Sequence, residues 1–303
     1  MQNFTLKNAP LQKGKLAIVT GANDGVGFET SLGLLSKEAK LIMACRNPEK
    51  ANNAIIKLKK AFPKAEIEFI QLDLSKLSSV KSFVKEFKQK FNKLDILINN
   101  AGIMVPPFSK TEDGFESQMA VNYFAHFLLT GLLMNELEAA DKARVISLSS
   151  IAHKRGKIDF DNLNAEKNYN KSAVYSQSKL ACLIFAYELD RKLRNAKSSV
   201  ISLAAHPGVS ATNLFENMPK LATKIVMTLS KPLLNSPKAA ALPSLMAALD
   251  SEVESGDYYG PSGFMEMSGK AAKANSKPQS HNLETAKKLW EVSEKLVGFK
   301  FEF

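Results

Sequence analysis

Tyr175 and Lys179 stand four residues apart at the start of a helical pattern that spans 175–193. At that spacing both side chains lie on one helix face, about one turn apart. A phenol alone is a weak acid near neutrality, with an ordinary pKa of about 10. A fixed ammonium beside it favours the phenolate and eases proton exchange. Such a pair can give a proton to a carbonyl oxygen or take one from an alcohol. The same spacing also occurs on ordinary helices, so the chemistry needs support from the rest of the chain.

That support begins near the N-terminus. Residues 15–20 (Lys-Leu-Ala-Ile-Val-Thr) read as a short buried strand after a leader over 1–14. Gly21-Ala22-Asn23-Asp24-Gly25-Val26-Gly27 follows at once, and a helix continues to about Ser36. A strand, a glycine-rich turn and a helix make an anion site. The glycines let backbone approach a pyrophosphate, and the helix start offers free N–H groups. A second strand over 40–44 ends at Cys45-Arg46, where NAD-specific folds carry a carboxylate for the ribose hydroxyls. Arg46 could bind a 2′-phosphate instead, which favours NADP(H) with NAD(H) as the alternative cofactor. Asp24 argues the other way, by repelling that phosphate or by pairing with Arg46.

These groups need a scaffold, and the remaining elements alternate in the way that supplies one. Helices are expected over 48–61, 77–91, 113–138, 175–193, 237–249 and 283–297. Strands are expected over 66–71, 95–98, 144–148, 199–204 and 258–259, with 260–278 read as loop. The alternation predicts an α/β fold: one doubly wound parallel sheet of Rossmann type with helices on both faces. Each polar motif follows a strand end, the edge where such sheets bind ligands.

The 303 residues, 45% of them hydrophobic, suffice for a single large domain. The net charge of +11 is spread along the chain, which argues against nucleic-acid binding and favours anionic ligands only at long range. Cys45 and Cys182 form no framework, and His126, His153, His206 and His281 show no ligand spacing, so no metal is expected. No apolar run has the length of a membrane span, and a cytoplasmic protein is expected.

Thr20-Gly21-xxx-Gly25-x-Gly27, Asp73, Asn99-Asn100-Ala101-Gly102, Asn122, Ser150, Tyr175-xxx-Lys179 and Pro207-Gly208, in this order, resemble the short-chain dehydrogenase/reductase family. Ala44-Cys45-Arg46-Asn47, Ser149-Ser150-Ile151-Ala152-His153, Tyr258-Tyr259-Gly260-Pro261 and Leu289-Trp290 resemble its retinol dehydrogenase-like branch. The resemblance implies Tyr175 as general acid and base, Lys179 as its activator and ribose ligand, and Ser150 as the donor to the substrate oxygen. It implies Asn122 as holder of a relay water. Asn99, Ala101 and Gly102 would line the adenosine side, with Asp73 and Leu74 beside the adenine. Pro207, Gly208, Val209 and Thr212 would border the nicotinamide. Residue chemistry alone leaves Ser149 and Ser150 open, because a strand buried on both faces does not alternate.

The resulting expectation is an NADP(H)-preferring oxidoreductase acting on a lipophilic carbonyl or alcohol. The alternatives are a nucleotide-binding regulator with a dead site, an NAD-preferring alcohol dehydrogenase, and a sugar-nucleotide epimerase. A substrate lid is expected around 209–236, where methionines and leucines alternate with lysines that could rest weakly on a membrane surface. The resemblance also implies a homodimer paired through the helices that carry Asn122 and Tyr175.

Overall fold

The computed structural model describes residues 4–209 and 235–303. Its frame is one eight-stranded sheet in the order β3-β2-β1-β4-β5-β6-β7-β8. The strands are β1 Leu16–Thr20, β2 Lys40–Cys45, β3 Ile67–Gln71, β4 Ile96–Asn99, β5 Arg144–Leu148, β6 Ile201–Ala205, β7 Tyr258–Pro261 and β8 Ala271–Lys273. β1 to β7 run parallel, and only β8 is antiparallel. The central strands are short apolar runs because both faces are covered; every residue of β1 and β4 is buried.

Helices α1 Gly25–Leu35 and α2 Pro48–Ala61 pack on one face, joined later in the chain by α8 Pro237–Leu249. The other face carries α3 Leu77–Lys90, α5 Ala125–Leu132, α7 Lys171–Asn195 and α9 Leu283–Val297. α2, α8 and α9 have the expected bounds, because each has a strong start: Asn47, Ser236 and Asn282 accept a first-turn N–H, and Pro48 and Pro237 need no partner there.

Three elements differ from expectation. α7 begins four residues before Tyr175, because Asn170 Oδ1 accepts the N–H groups of Ser172 and Ala173, both at 3.1 Å. The helix expected over 113–138 is divided into α4 Ser117–Met119, a π-helical turn Ala120–Phe124, α5, and α6 Met134–Glu138. The segment 260–278 is not all loop: it contains β8, a hairpin partner of β7. Ala271-Ala272-Lys273 has no β-branched or aromatic residue, so backbone pairing alone makes it a strand.

Among the described residues no helix is long and apolar enough to cross a membrane. The expected lid lies outside them except for Val209, Asn235 and Ser236, and so does Thr212. Val209 and Asn235 are joined, the Asn235 N–H donating to the Val209 carbonyl at 2.9 Å.

Candidate active site

The glycine turn sits where the chain leaves β1, the strand at which the sheet order reverses. Gly21 and Gly25 take φ of +67° and +54°, a region open to glycine. A Cβ on Gly27 would collide with the Gly21 carbonyl and the Asn100 side chain, so the helix can start this close only without one. Asp24 caps α1, its Oδ1 accepting the Gly25 N–H at 2.7 Å, and is exposed. It makes no ion pair with Arg46 among the described residues. Arg46 is exposed just past β2. Cys45 beneath it is buried, which pushes its thiol up to about 11 even though the backbone of Ala22 and Asn23 hydrogen-bonds it. Past β3, the Asp73 carboxylate orders its own turn, accepting from Ser75 N–H at 3.0 Å and Ser75 O–H at 2.7 Å; Leu74 is buried.

The turn after β4 is latched to the end of β1. Thr20 Oγ1 accepts the N–H groups of Asn100 and Ala101, each at 2.9 Å, and Asn100 Nδ2 donates to the Thr20 carbonyl at 2.7 Å. Asn99 turns the opposite way, into the core, where it donates to Thr130 Oγ1 at 3.0 Å. His126 adds a second latch: its Nε2 lies 3.0 Å from Thr20 Oγ1, and its Nδ1 3.1 Å from the Asn122 carbonyl. The Asn122 carbonyl can only accept, so Nδ1 carries the proton and Nε2 is free to accept the Thr20 hydroxyl, whose other acceptor is the Ile98 carbonyl at 3.4 Å.

Tyr175 is half-buried, and Lys179 is buried with its Nζ donating to the Leu148 carbonyl at 3.1 Å. A Cβ on Gly102 would stand 3.1 Å from Asn122 Oδ1 and 3.2 Å from Lys179 Nζ, so those two groups converge there. The Asn122 side chain grips the chain after Gly102: Oδ1 accepts the Ile103 N–H at 2.8 Å, and Nδ2 donates to the Ile103 carbonyl at 3.0 Å and to Ser178 Oγ at 2.9 Å. Its backbone carbonyl lies in the π-helical turn and also accepts the Cys182 thiol. Ser149 and Ser150 separate here. The Ser149 hydroxyl is buried and donates to the Lys179 carbonyl at 2.8 Å, while Ser150 is half-buried and, among the described residues, accepts only the Ala152 N–H at 3.2 Å.

A cleft of about 260 Å³ joins these parts. Gly21, Asp24, Gly25, Val26 and Gly27 form one wall, Asn100 to Met104 another, with Leu148, Ser149, Tyr175, Lys179 and Pro207 closing it. Asn23, Arg46, Asp73 and Leu74 follow the ends of β1, β2 and β3 outside it, and Asn122, Ser150, Gly208 and Val209 adjoin its lining. A larger groove of about 940 Å³ opens at the opposite sheet edge, around Leu16, Lys40 and Phe91, and contains none of these motifs. Thr20, Asn100 and His126 are the structural parts that motif reading left without a role. His126 had one usable signal, its i+4 spacing from Asn122. Among the described residues no cluster of three or more His, Cys, Asp or Glu could hold a metal.

A glycine turn at the sheet's switch point, with a tyrosine–lysine pair across the cleft, defines a Rossmann-type oxidoreductase. The chain belongs to the short-chain dehydrogenase family, in its retinol dehydrogenase-like branch; residues 15–220 match the family described as short chain dehydrogenase. It is 39% identical to retinol dehydrogenase 14 of Homo sapiens over 95% of this chain and 88% of that one. It is 35% identical to polyprenol dehydrogenase of Danio rerio over 99% of this chain and 91% of that one. The crystal structure of an uncharacterized protein from Mycobacterium Paratuberculosis superposes with a TM-score of 0.82 at 33% identity, covering 99% of this chain and 100% of that one.

Proposed function

We propose that this enzyme transfers a hydride between NADP(H) and a lipophilic carbonyl or alcohol. The observation that carries the proposal is the single cleft that holds Tyr175 and Lys179 opposite the glycine turn. The cleft suits a nicotinamide dinucleotide: Gly27 leaves backbone room for a pyrophosphate, and the start of α1 faces it. Gly21, Asn23, Asp24, Gly25 and Val26 would hold that end, with Ala101, Gly102, Asp73 and Leu74 along the adenosine and Pro207, Gly208 and Val209 at the nicotinamide. When bound, the nicotinamide supplies or accepts the hydride.

The chain's own residues manage the proton. Tyr175 gives it to the carbonyl oxygen in reduction and takes it from the alcohol in oxidation. The Lys179 ammonium, buried beside Gly102 and one helical turn from Tyr175, would hold the nicotinamide ribose. Ser150, whose hydroxyl hydrogen is uncommitted among the described residues, donates to the substrate oxygen. Asn122 shapes the loop at Gly102 through its side-chain bonds to Ile103 and Ser178, and would hold a relay water toward Lys179.

Preference for NADP(H) is supported by Arg46, which meets no carboxylate partner among the described residues, and by Cys45 in place of an acid. The lipophilic substrate is supported by the names of the two relatives and by Ile103 and Met104 at the cleft. The proposed setting is the cytoplasm, with weak contact to membrane surfaces. The test is turnover of NADPH and of NADH with aldehydes of rising chain length. kcat/KM should rise with each methylene until the pocket is full, by up to about 0.8 kcal/mol per CH₂. A flat series would remove the lipophilic assignment, and no turnover with any carbonyl would remove the activity.

A further inference from the structure

His153 and His206 are both fully buried, although neither belongs to the tyrosine–lysine machinery. His153 lies in the 3-10 turn Ile151–Arg155 directly after Ser150, and its Nδ1 donates to the Ser150 carbonyl at 2.7 Å. His206 opens the Pro207–Gly208 turn, and its Nδ1 accepts the Gly208 N–H at 3.2 Å. That bond leaves the His206 proton on Nε2. Nε2 lies 3.3 Å from Glu266 Oε2, close enough for a charge contact but without hydrogen-bond geometry, and Lys154 Nζ donates to the same oxygen at 2.8 Å. Glu266 Oε1 accepts the Asn275 N–H at 3.0 Å. One carboxylate therefore meets the turn after β5, the turn after β6 and the hairpin between β7 and β8.

The hairpin tip shows that Glu266 is the anchor. Met265 and Glu266 both take positive φ, 51° and 58°, a conformation that L-residues avoid. Such strain persists only where the surroundings over-determine it. Burial of the tip is not the cause, since Phe264 and Met265 are 75% and 67% exposed. Glu266, by contrast, has a side chain only 15% exposed, between one cation and one imidazole. The next residue continues the attachment: the Met267 carbonyl accepts the Val209 N–H at 2.8 Å. Gly260 leaves the space that the His206 ring fills, because a Cβ there would overlap it.

We propose that Glu266 is a positioning residue that clamps the Ser150 turn to the Pro207–Gly208 turn and so holds the substrate side of the cleft in reacting geometry. The proposal rests on the oxidoreductase reading above only for its effect on rate; the clamp itself is a mechanical claim. Removing the carboxylate leaves Lys154 able to swing to solvent, while the buried His206 loses the carboxylate beside its Nε2. Both turns then lose their charged tie and keep only the packing of His153 and His206 on Tyr258, whereas the glycine turn after β1 keeps its own contacts.

The test compares wild type with Glu266→Ala, Glu266→Gln and Lys154→Met by amide hydrogen exchange and by steady-state kinetics with NADPH and a medium-chain aldehyde. In Glu266→Ala, exchange over 151–156 and 207–209 should quicken by roughly tenfold or more while β1 and α1 are unchanged. kcat per folded molecule should fall at least about tenfold, with the NADPH dissociation constant within about threefold of wild type. Glu266→Gln keeps a side-chain oxygen for Lys154 and the Asn275 N–H but no charge, and should lie between; Lys154→Met should quicken mainly 151–156. Unaltered exchange at both turns overturns the clamp, and so does a rate loss accounted for by fewer folded molecules. Should Glu266→Ala not fold, the other two variants decide by the same readouts. If wild type turns over no carbonyl, the exchange data still judge the clamp, and only the functional reading falls.

Discussion

Tyr175 and Arg46 test the two halves of the proposed chemistry separately. Tyr175→Phe removes the proton donor and little else, so cofactor binding should persist while turnover falls about a hundredfold or more. Fluorescence titration with NADPH beside steady-state kinetics checks this; activity within a few-fold of wild type would take Tyr175 out of the proton step. Arg46→Ala should weaken NADPH by roughly 1.5–3 kcal/mol and leave NADH nearly unchanged. Equal losses for both cofactors would show that Arg46 does not read the 2′-phosphate. Both residues could be picked from the sequence because their signal is local: a helical spacing and a strand end after a glycine turn. Asn99 and Asn100 show the limit. Asn99 ends a strand covered on both faces and Asn100 opens the turn after it, so no alternation tells which one turns into the core. Glu266 had no local signal at all, since its partner Lys154 is 112 residues away in sequence.

At the scale of elements, the sheet order and most helices follow from periodicity and caps, but the π-helical turn does not. Its sequence, Ala-Val-Asn-Tyr-Phe, carries no breaker, and the turn shows only in its backbone bonding pattern. His126, one turn further on, is fully buried in α5, and burial pushes its pKa down to about 4 from 6.5. His153 after β5 is likewise lowered to about 4, first by burial, with the neighbouring His206 and Lys154 adding to it. A group whose folded pKa is depressed stabilises fully above its unfolded value. For these imidazoles that contribution is present above about 6.5 and is lost as pH falls through about 4. Glu266 is held near 2 against 4.5, by His206 and Lys154 outweighing burial, so its contribution disappears later, between about 4.5 and 2. Unfolding free energies from urea titrations should therefore decline from pH 6.5 to pH 4, by on the order of 3 kcal/mol for each fully titrated imidazole. His126→Gln should flatten that decline. Stability independent of pH across this window would show that both imidazoles protonate in the fold as readily as in the unfolded chain.

On the scale of the whole molecule, the C-terminal segment decides which surfaces are free. The resemblance implied pairing of two copies through the helices that carry Asn122 and Tyr175. In the fold that apolar side is covered from within. Trp290 of α9 stacks on Phe185 of α7, with centroids 5.7 Å apart and planes at 19°, and meets Phe127 of α5 edge-on at 5.0 Å. The Tyr123 and Ser293 hydroxyls bond at 2.8 Å. Beyond α9, Phe299 and Phe301 pass over Gly131, which has no side chain to obstruct them, and Phe301 ends 6% exposed against Phe127 and Trp290. A second copy would have to compete with the docked segment for this face. The full chain should therefore sediment as a monomer at micromolar concentration, or pair through some other surface. Phe301→Ala should cost about 3–5 kcal/mol, the usual range for removing a buried phenylalanine. Deleting 299–303 should go further: lower the melting temperature and produce self-association that grows with concentration, because Phe127 and Trp290 become accessible. Sedimentation velocity on the two chains separates the cases. A full-length dimer that cross-links between the α5 faces of two copies would show that this cover is not what keeps them apart.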